Sequence, residues 1–156
     1  MRKSAIFLFA LLLGSATYAQ EQTENFSLSN DKRNELKLNL LPTIFSFHPE
    51  ISYERILAQE LSAGASLGFG GEWAEQTFAF TPYFRWHFGS MYNKAASGFF
   101  VEANASLFND AGIGFAIGHK YVSRNNWVGD LMFGAGRSFD GDGVYPRIGI
   151  SIGKRF

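Results

Sequence analysis

The sequence has no cysteine, only four prolines and no excess of charge of either sign. The absence of cysteine excludes disulfides, thiolate nucleophiles and thiolate metal sites together. The 14 basic and 14 acidic residues balance, and no basic stripe or nucleic-acid-reading motif is present, so the sequence predicts no nucleic-acid partner. At 156 residues, the chain has room for one domain.

Long apolar runs are also scarce, since the sequence contains a single one, residues 5–13, preceded by Arg2 and Lys3. Thr17-Tyr18-Ala19 follows, with small residues at the two positions suited to cleavage. This layout is typical of a secretory signal peptide, so residues 1–19 are predicted to be removed after export. The alternative is an uncleaved anchor, but the run has about half of the roughly 20 residues that a transmembrane helix needs.

Phenylalanine and glycine are abundant, at 17 residues each, and apolar residues alternate with polar or small ones. In residues 61–70 every second residue is apolar, while serine or glycine fills the positions between them. This period of two is typical of β-strands. It predicts eight strands and requires no helix; the strands fall at residues 35–40, 51–54, 61–70, 77–88, 99–107, 113–121, 127–139 and 145–156. Residues 20–33 lack a period and are predicted to form a flexible periplasmic arm before the barrel of residues 34–156.

The chemistry of the two strand faces distinguishes a membrane barrel from a soluble sandwich. The polar face carries many glycines and serines, which weaken a strand exposed to water but suit the narrow interior of an eight-stranded barrel. The other face is large and apolar along nearly every strand, as in outer-membrane barrels. The sequence therefore predicts an all-β, eight-stranded, antiparallel up-and-down transmembrane β-barrel that contacts outer-membrane lipids. With the N-terminal side in the periplasm, six aromatic residues form a girdle at one rim: Trp86, Phe88, Phe99, Tyr121, Trp127 and Phe156.

Charged residues on the polar face are predicted to fill the lumen. Neighbouring strands bring opposite charges together in three pairs, namely Lys37 with Glu54, Arg85 with Glu102, and Lys120 with Asp130. The last strand adds Arg147 and Arg155, and Arg155 joins the network at the closing seam. We expect these charges to plug the lumen, because eight strands rarely leave a continuous wet channel.

No catalytic, cofactor or metal site is predicted. His48, His87 and His119 share neither a face nor a metal-ligand spacing, and the parity of His119 points towards lipid. A serine hydrolase needs a serine, a histidine and an acid within hydrogen-bond reach, but no Gly-x-Ser-x-Gly motif is present. The Asp-Gly-Asp-Gly sequence at residues 140–143 resembles a calcium loop without the later carboxylates, so a hairpin turn is the better interpretation.

Five segments resemble a family of small outer-membrane β-barrel proteins that is catalogued as a domain of unknown function. They are Glu-Leu-Lys-Leu-Asn-Leu-Leu (35–41), Ile-Ser-Tyr-Glu-Arg (51–55), Thr-Pro-Tyr-Phe-Arg-Trp-His-Phe (81–88), Gly-Phe-Phe-Val-Glu-Ala (98–103) and Arg-Ile-Gly-Ile-Ser-Ile-Gly-Lys-Arg-Phe (147–156). The resemblance covers almost the whole predicted mature chain. It implies an OmpA- or OmpX-like barrel without an assigned activity and supplies no catalytic residues.

The last strand also resembles the insertion signal that the outer-membrane assembly machinery reads. The residues of that signal would be Ile148, Ile150, Ile152 and the terminal Phe156, while Lys154 departs from the apolar residue usual at its position. These expectations describe a monomeric, non-enzymatic protein with a structural or surface-interaction role. Two alternatives remain open: a soluble periplasmic lipocalin-like ligand-binding barrel, which would reverse the two faces, and a lipid-A-modifying outer-membrane enzyme.

Overall fold

In the computed structural model of the chain, the alternating segments close into one antiparallel barrel. The structure describes residues 32–45, 49–70, 78–89, 94–107, 111–139 and 143–156. Each strand pairs with the next one along the chain, and β1 closes the barrel against β8. The strands are β1 (Asn34–Asn39), β2 (Glu50–Ile56), β3 (Leu61–Phe69), β4 (Phe78–Phe88), β5 (Gly98–Ser106), β6 (Gly112–Val122), β7 (Trp127–Ser138) and β8 (Val144–Arg155). The predicted all-β, eight-stranded up-and-down barrel is confirmed, whereas the predicted signal peptide and nearly all of the arm lie outside the described residues.

One short helix, α1 (Leu40–Phe45), follows β1. The alternation did not indicate it and assigned Leu40 to the first strand instead. The hydroxyl of Thr43 donates a hydrogen bond to the carbonyl oxygen of Asn39 at 2.5 Å, which ties α1 to the end of β1. Pro42 is tolerated in this first helical turn because the N–H that proline lacks has no partner within the helix there.

The two ends of the barrel differ in what they carry. At one end, which we call the terminal end, the backbone N–H of Asn34 donates to the carbonyl of Phe156 at 3.0 Å, and that of Phe156 donates to the carbonyl of Asn34 at 2.7 Å. The connections that follow β2, β4 and β6 lie at the same end. The other end, called the distal end, carries α1 and the connections that follow β3, β5 and β7.

The burial pattern of the strands is inverted relative to a water-soluble protein. Along β5, β6 and β8 most apolar side chains are exposed on the outside, and the alternate residues inside are mainly polar or small, with Phe100 and Val122 as buried apolar exceptions. Phe99, Phe115 and Phe133 are each more than 60% exposed, whereas Glu54 and Glu102 are 0% exposed. Glycines leave room for the larger lumen side chains, since a Cβ on Gly136 would lie 2.0 Å from the Tyr145 ring.

Candidate functional site: the charged lumen

Ten charged side chains from seven strands point into the lumen and are buried or nearly so. Their exposure is at most 8% for nine of them, and the carboxylate side chain of Glu50 is 17% exposed. They divide into five acids (Glu35, Glu50, Glu54, Glu102 and Asp130) and five bases (Lys37, Arg85, Lys120, Arg147 and Arg155). The described lumen is therefore electroneutral, provided that His87 is uncharged.

Glu54 on β2 is the centre of the network. Its Oε2 accepts hydrogen bonds from Lys37 Nζ at 2.5 Å and from Arg85 Nη1 at 2.9 Å. Its Oε1 accepts from Lys120 Nζ and from Ser62 Oγ, the latter at 2.6 Å. A carboxylate at 0% exposure loses its hydration, and these partners replace the lost water with charge-assisted hydrogen bonds.

Asp130 on β7 holds two of the same cations from the opposite side of the lumen. Its Oδ2 accepts from Lys37 Nζ at 2.5 Å and from Arg85 Nη1 at 2.8 Å. The Arg85 guanidinium also lies 4.5 Å from the Tyr83 ring centroid and 4.3 Å from the Phe100 ring centroid. These rings cover the faces of a planar cation that the carboxylates bind at its edge.

Glu35 closes the network at the seam between β1 and β8. Its Oε1 accepts from Arg155 Nε at 2.8 Å and Nη2 at 2.6 Å, and its Oε2 accepts from Lys120 Nζ at 2.9 Å. Arg155 Nη2 also donates to the carbonyl oxygen of Ala96 at 3.3 Å. Arg155 therefore connects the seam to the β4–β5 connection.

Residues 94–97, the described part of that connection next to β5, pack against the terminal end of the barrel. Ala96 and Ser97 are 0% exposed, and the backbone N–H of Ala96 donates to the carbonyl of Gln59 in the β2–β3 turn at 2.7 Å. Ala96 has φ 47° and Gly98 has φ 86°. A Cβ on Gly98 would lie 2.2 Å from the carbonyl oxygen of Gly89, so only glycine fits this close approach.

The distal half of the lumen combines ion pairs with a neutral hydrogen bond. Arg147 Nε donates to Glu102 Oε1 and Arg147 Nη1 donates to Glu50 Oε1, both at 3.0 Å. Tyr145 Oη donates to Asn104 Oδ1 at 3.0 Å. Arg147 therefore joins the deeply buried cluster to the more exposed Glu50.

The predicted charge pairs are placed as follows. Lys37 lies against Glu54 at 2.5 Å and Arg85 against Glu102 at 2.8 Å, as the strand order indicated. Lys120 and Asp130 are also neighbours across β6 and β7, as the strand order indicated, although the hydrogen bonds of each go to other partners. Lys120 extends to Glu35 and Glu54, whereas Asp130 binds the cations described above. Long side chains in a narrow lumen reach carboxylates beyond the adjacent strand.

Two lumen acids were not among the predicted site residues. Glu35 is the first residue of the predicted first strand and alternates in step with Lys37, so the pattern already placed it on the lumen face. Glu50 is the first residue of β2, beyond the predicted start of that strand at residue 51. Its partner Arg147 lies 97 residues away in the chain, so no local sequence signal indicates this pair.

Ser62, His87 and Glu54 form a group that superficially resembles a hydrolase triad. Ser62 Oγ lies 3.0 Å from His87 Nε2 and donates to Glu54 Oε1 at 2.6 Å. A triad requires the serine proton to go to the histidine and the acid to hold the other ring nitrogen. Here the serine proton goes to the acid, and His87 Nδ1 has no hydrogen-bond partner in the described structure. Ser62 is also 0% exposed, so this geometry does not present a nucleophile to a substrate.

The remaining candidates give no site. His119 lies on the outer wall, edge-on to Phe99 at a centroid distance of 4.8 Å, in line with its predicted parity. His48 and residues 140–142 lie outside the described residues. Among the residues that the structure describes, no three His, Asp or Glu side chains are grouped to hold a metal ion, and no helix is long and apolar enough to cross a membrane.

The predicted assembly-signal residues all face outwards. Ile148, Ile150, Ile152 and Phe156 are exposed on the β8 side of the barrel. Lys154 shares their face at the terminal end, and its Nζ lies 5.4 Å from the ring centroid of Trp127. The ammonium group thus lies over an aromatic ring at the rim.

Comparison of the chain with family models, with curated protein sequences and with solved structures finds no match. The resemblance to a family of small outer-membrane barrels therefore stays a prediction.

Proposed function

We propose that the chain is an exported, monomeric protein whose barrel spans the outer membrane of a Gram-negative cell. Its lumen is packed with paired charges, it catalyses no reaction, and its role is structural or concerned with interactions at the surface. Outer-membrane lipids surround its outer wall, and the outer-membrane assembly machinery is its partner during insertion.

The inverted burial of the strands is the observation that carries this proposal. Large apolar side chains are exposed around the outer wall, while ten charged side chains lie inside. Water would strongly favour the opposite arrangement. Hydrocarbon favours this arrangement, because the closed barrel leaves no strand edge unpaired and turns its large apolar side chains outwards.

The height of the apolar band supports the same conclusion. On β7 the outward positions from Trp127 to Ala135 are apolar or glycine, and Arg137 follows on the same face. At about 3.4 Å per residue and a typical strand tilt of about 40°, the interval from Trp127 to Arg137 corresponds to about 25 Å along the barrel axis. That is the height of the apolar band in outer-membrane barrels.

The aromatic rim and the two chain ends support an orientation with the terminal end on the periplasmic side. The six residues of the predicted girdle are all at least 42% exposed, and they lie in the part of the wall nearest the terminal end. Aromatic girdles mark the membrane–water interface. The N-terminal sequence has the layout of a signal peptide, and the outward isoleucines of β8 with Phe156 would be read during assembly.

The two alternatives have less support. A lipocalin-like barrel needs an apolar lumen for its ligand, whereas this lumen contains a dense ionic network. A lipid-A-modifying enzyme needs a reactive constellation open to the lipid, and the Ser62–His87–Glu54 group is enclosed. Lipid mass spectrometry before and after gene deletion tests the enzyme directly, and an altered lipid A would favour it.

Cell fractionation tests the proposed location, and gel mobility tests the fold in the membrane. We expect the full chain, expressed in a Gram-negative host, to remain in outer-membrane fractions after a urea wash and to run faster unboiled than boiled on a denaturing gel. Recovery in the osmotic-shock fluid would contradict the proposal and favour the soluble barrel.

Planar-bilayer recording tests the packed lumen separately. The expected result is no steady conductance from the pure protein, because the cluster around Glu54 occupies the terminal half of the lumen and residues 94–97 pack against that end. Well-resolved, steady channels from heat-modifiable protein would contradict a plugged barrel without contradicting its place in the membrane.

A further inference from the structure

A groove of about 340 Å³ runs along the outer wall across β4 to β7. Its volume is within the range of small-molecule sites, although it is open along one side. Its surface is almost wholly apolar, and its lining includes Phe88, Phe99, Ile117, Gly118, His119 and Phe133. A site of this shape and chemistry fits a hydrocarbon chain.

The groove contains one polar group, the imidazole of His119. His119 lies opposite Phe99 in the β5–β6 ladder and three residues before the end of β6, so it is near the terminal end. Within the described residues the imidazole has no hydrogen-bond partner, and its ring packs edge-on against Phe99. A polar group on a lipid-facing wall is unfavourable without a partner. A ligand in the groove can supply that partner.

The terminal end beside the groove is strongly basic. Outside the lumen, its described side chains comprise six bases and one acid, namely Lys32, Arg33, Arg55, Lys94, Arg124 and Lys154 against Glu60. Two of the bases lie in turns that connect the strands of the groove at the terminal end. Lys94 is in the β4–β5 connection and Arg124 is in the β6–β7 turn, and Lys94 Nζ bonds Asn126 Oδ1 of that second turn at 3.4 Å.

We propose that this groove binds one acyl chain of an anionic glycerophospholipid from the leaflet at the terminal end. The acyl chain lies over Ile117 and Gly118, His119 donates a hydrogen bond to a glycerol-ester carbonyl, and Lys94 and Arg124 attract the phosphate. This inference rests on the proposed membrane location and adds a specific lipid to it.

Native mass spectrometry of the full chain, extracted in non-ionic detergent, tests the inference. The probes are dioleoyl phosphatidylglycerol, dioleoyl phosphatidylcholine and free oleate. We expect one phosphatidylglycerol retained per barrel, at least fivefold more than phosphatidylcholine or oleate. Equal retention of all three would overturn the headgroup assignment and therefore the proposal.

A matched pair of variants locates the site. Ile117 in the groove and Ile152 on β8, outside it, are 49% and 47% exposed. Ile117→Trp fills the groove and should reduce retention at least fivefold, whereas Ile152→Trp should leave it unchanged. If Ile117→Trp does not give a heat-modifiable barrel, Val101→Phe is the second variant, because Val101 also lines the groove. Equal retention in the groove and control variants would overturn the proposal.

Replacement of the polar group completes the test. His119→Leu should reduce phosphatidylglycerol retention severalfold, and His119→Gln, which keeps an N–H donor, should restore part of it. Unchanged retention in His119→Leu would overturn the proposed ester contact. A wild-type chain that never partitions into membranes would instead refute the proposed function, and fractionation detects that outcome independently of lipid retention.

Discussion

Phe133 and Asp130 lie three residues apart on β7, yet Phe133 is 62% exposed and Asp130 is 3% exposed. The outer wall has few specific contacts, and its residues share only size and apolar character. The inner wall is the reverse, since each charge there has named partners from other strands. The difference shows that the outer wall depends on the medium around it, whereas the inner wall depends on particular pairs.

Removal of the central charge of the inner wall should have the largest effect. Glu54→Gln leaves Lys37, Arg85 and Lys120, all at most 2% exposed, with fewer carboxylates in the lumen. Breaking a buried ion pair costs about 3–5 kcal/mol, so we expect a loss of that order in urea unfolding in lipid vesicles, followed by the heat-modifiable gel shift. The control is Glu60→Gln, since Glu60 is exposed and bonds Trp86 Nε1 at 3.3 Å. Equal destabilisation by the two variants would contradict the central role of Glu54.

A charge on the outer wall should have the next largest effect. Phe133→Arg places a cation in the middle of the apolar band, where arginine costs about 2–4 kcal/mol in a membrane barrel. Phe139 is similarly exposed, at 66% against 62% for Phe133, but lies beyond Arg137 and outside the band. We therefore expect Phe139→Arg to change the unfolding free energy much less. Equal tolerance of both substitutions would indicate that water contacts both positions.

Crowding of the inner wall should have the smallest of the three effects. A Cβ on Gly64 would lie 2.4 Å from the carbonyl oxygen of Tyr53 and 2.6 Å from the Tyr83 ring, whereas the nearest atom to a Cβ on Gly129 is 4.0 Å away. Overpacking costs about 1–3 kcal/mol, so Gly64→Ala should destabilise the barrel by that order and Gly129→Ala should not. The same urea titration measures both. A larger loss in Gly129→Ala would contradict the tight packing of the lumen.

The fold was largely predictable because its pattern is local. A strand in a closed barrel turns one face to the lumen and the other to the outside, so every strand keeps a period of two. Most predicted strand boundaries therefore lie within one or two residues of the observed ones. The exception is α1, where Leu-Leu-Pro-Thr-Ile-Phe is a mostly apolar segment with no period of two. Alternation alone cannot identify a helical turn there.

The lumen network was only partly predictable because its contacts are not local. The alternation of side chains along each strand places Lys120 and Asp130 inside the barrel, and the strand register makes them neighbours. Neither feature says which carboxylate a long side chain will reach. Lys120 bonds Glu54, 66 residues earlier in the chain. The carboxylate that each cation bonds depends on the diameter of the lumen and on all ten charges together.

Spin-label accessibility measures directly whether lipid or water surrounds the outer wall. The chain has no cysteine, so Phe133→Cys and Phe139→Cys each give a single labelling site in the folded protein in lipid vesicles. We expect a nitroxide at position 133 to be accessible to oxygen and shielded from a water-soluble nickel complex, with the opposite preference at position 139. A label at position 133 that meets the nickel complex as freely as one at position 139 would contradict a lipid-facing outer wall.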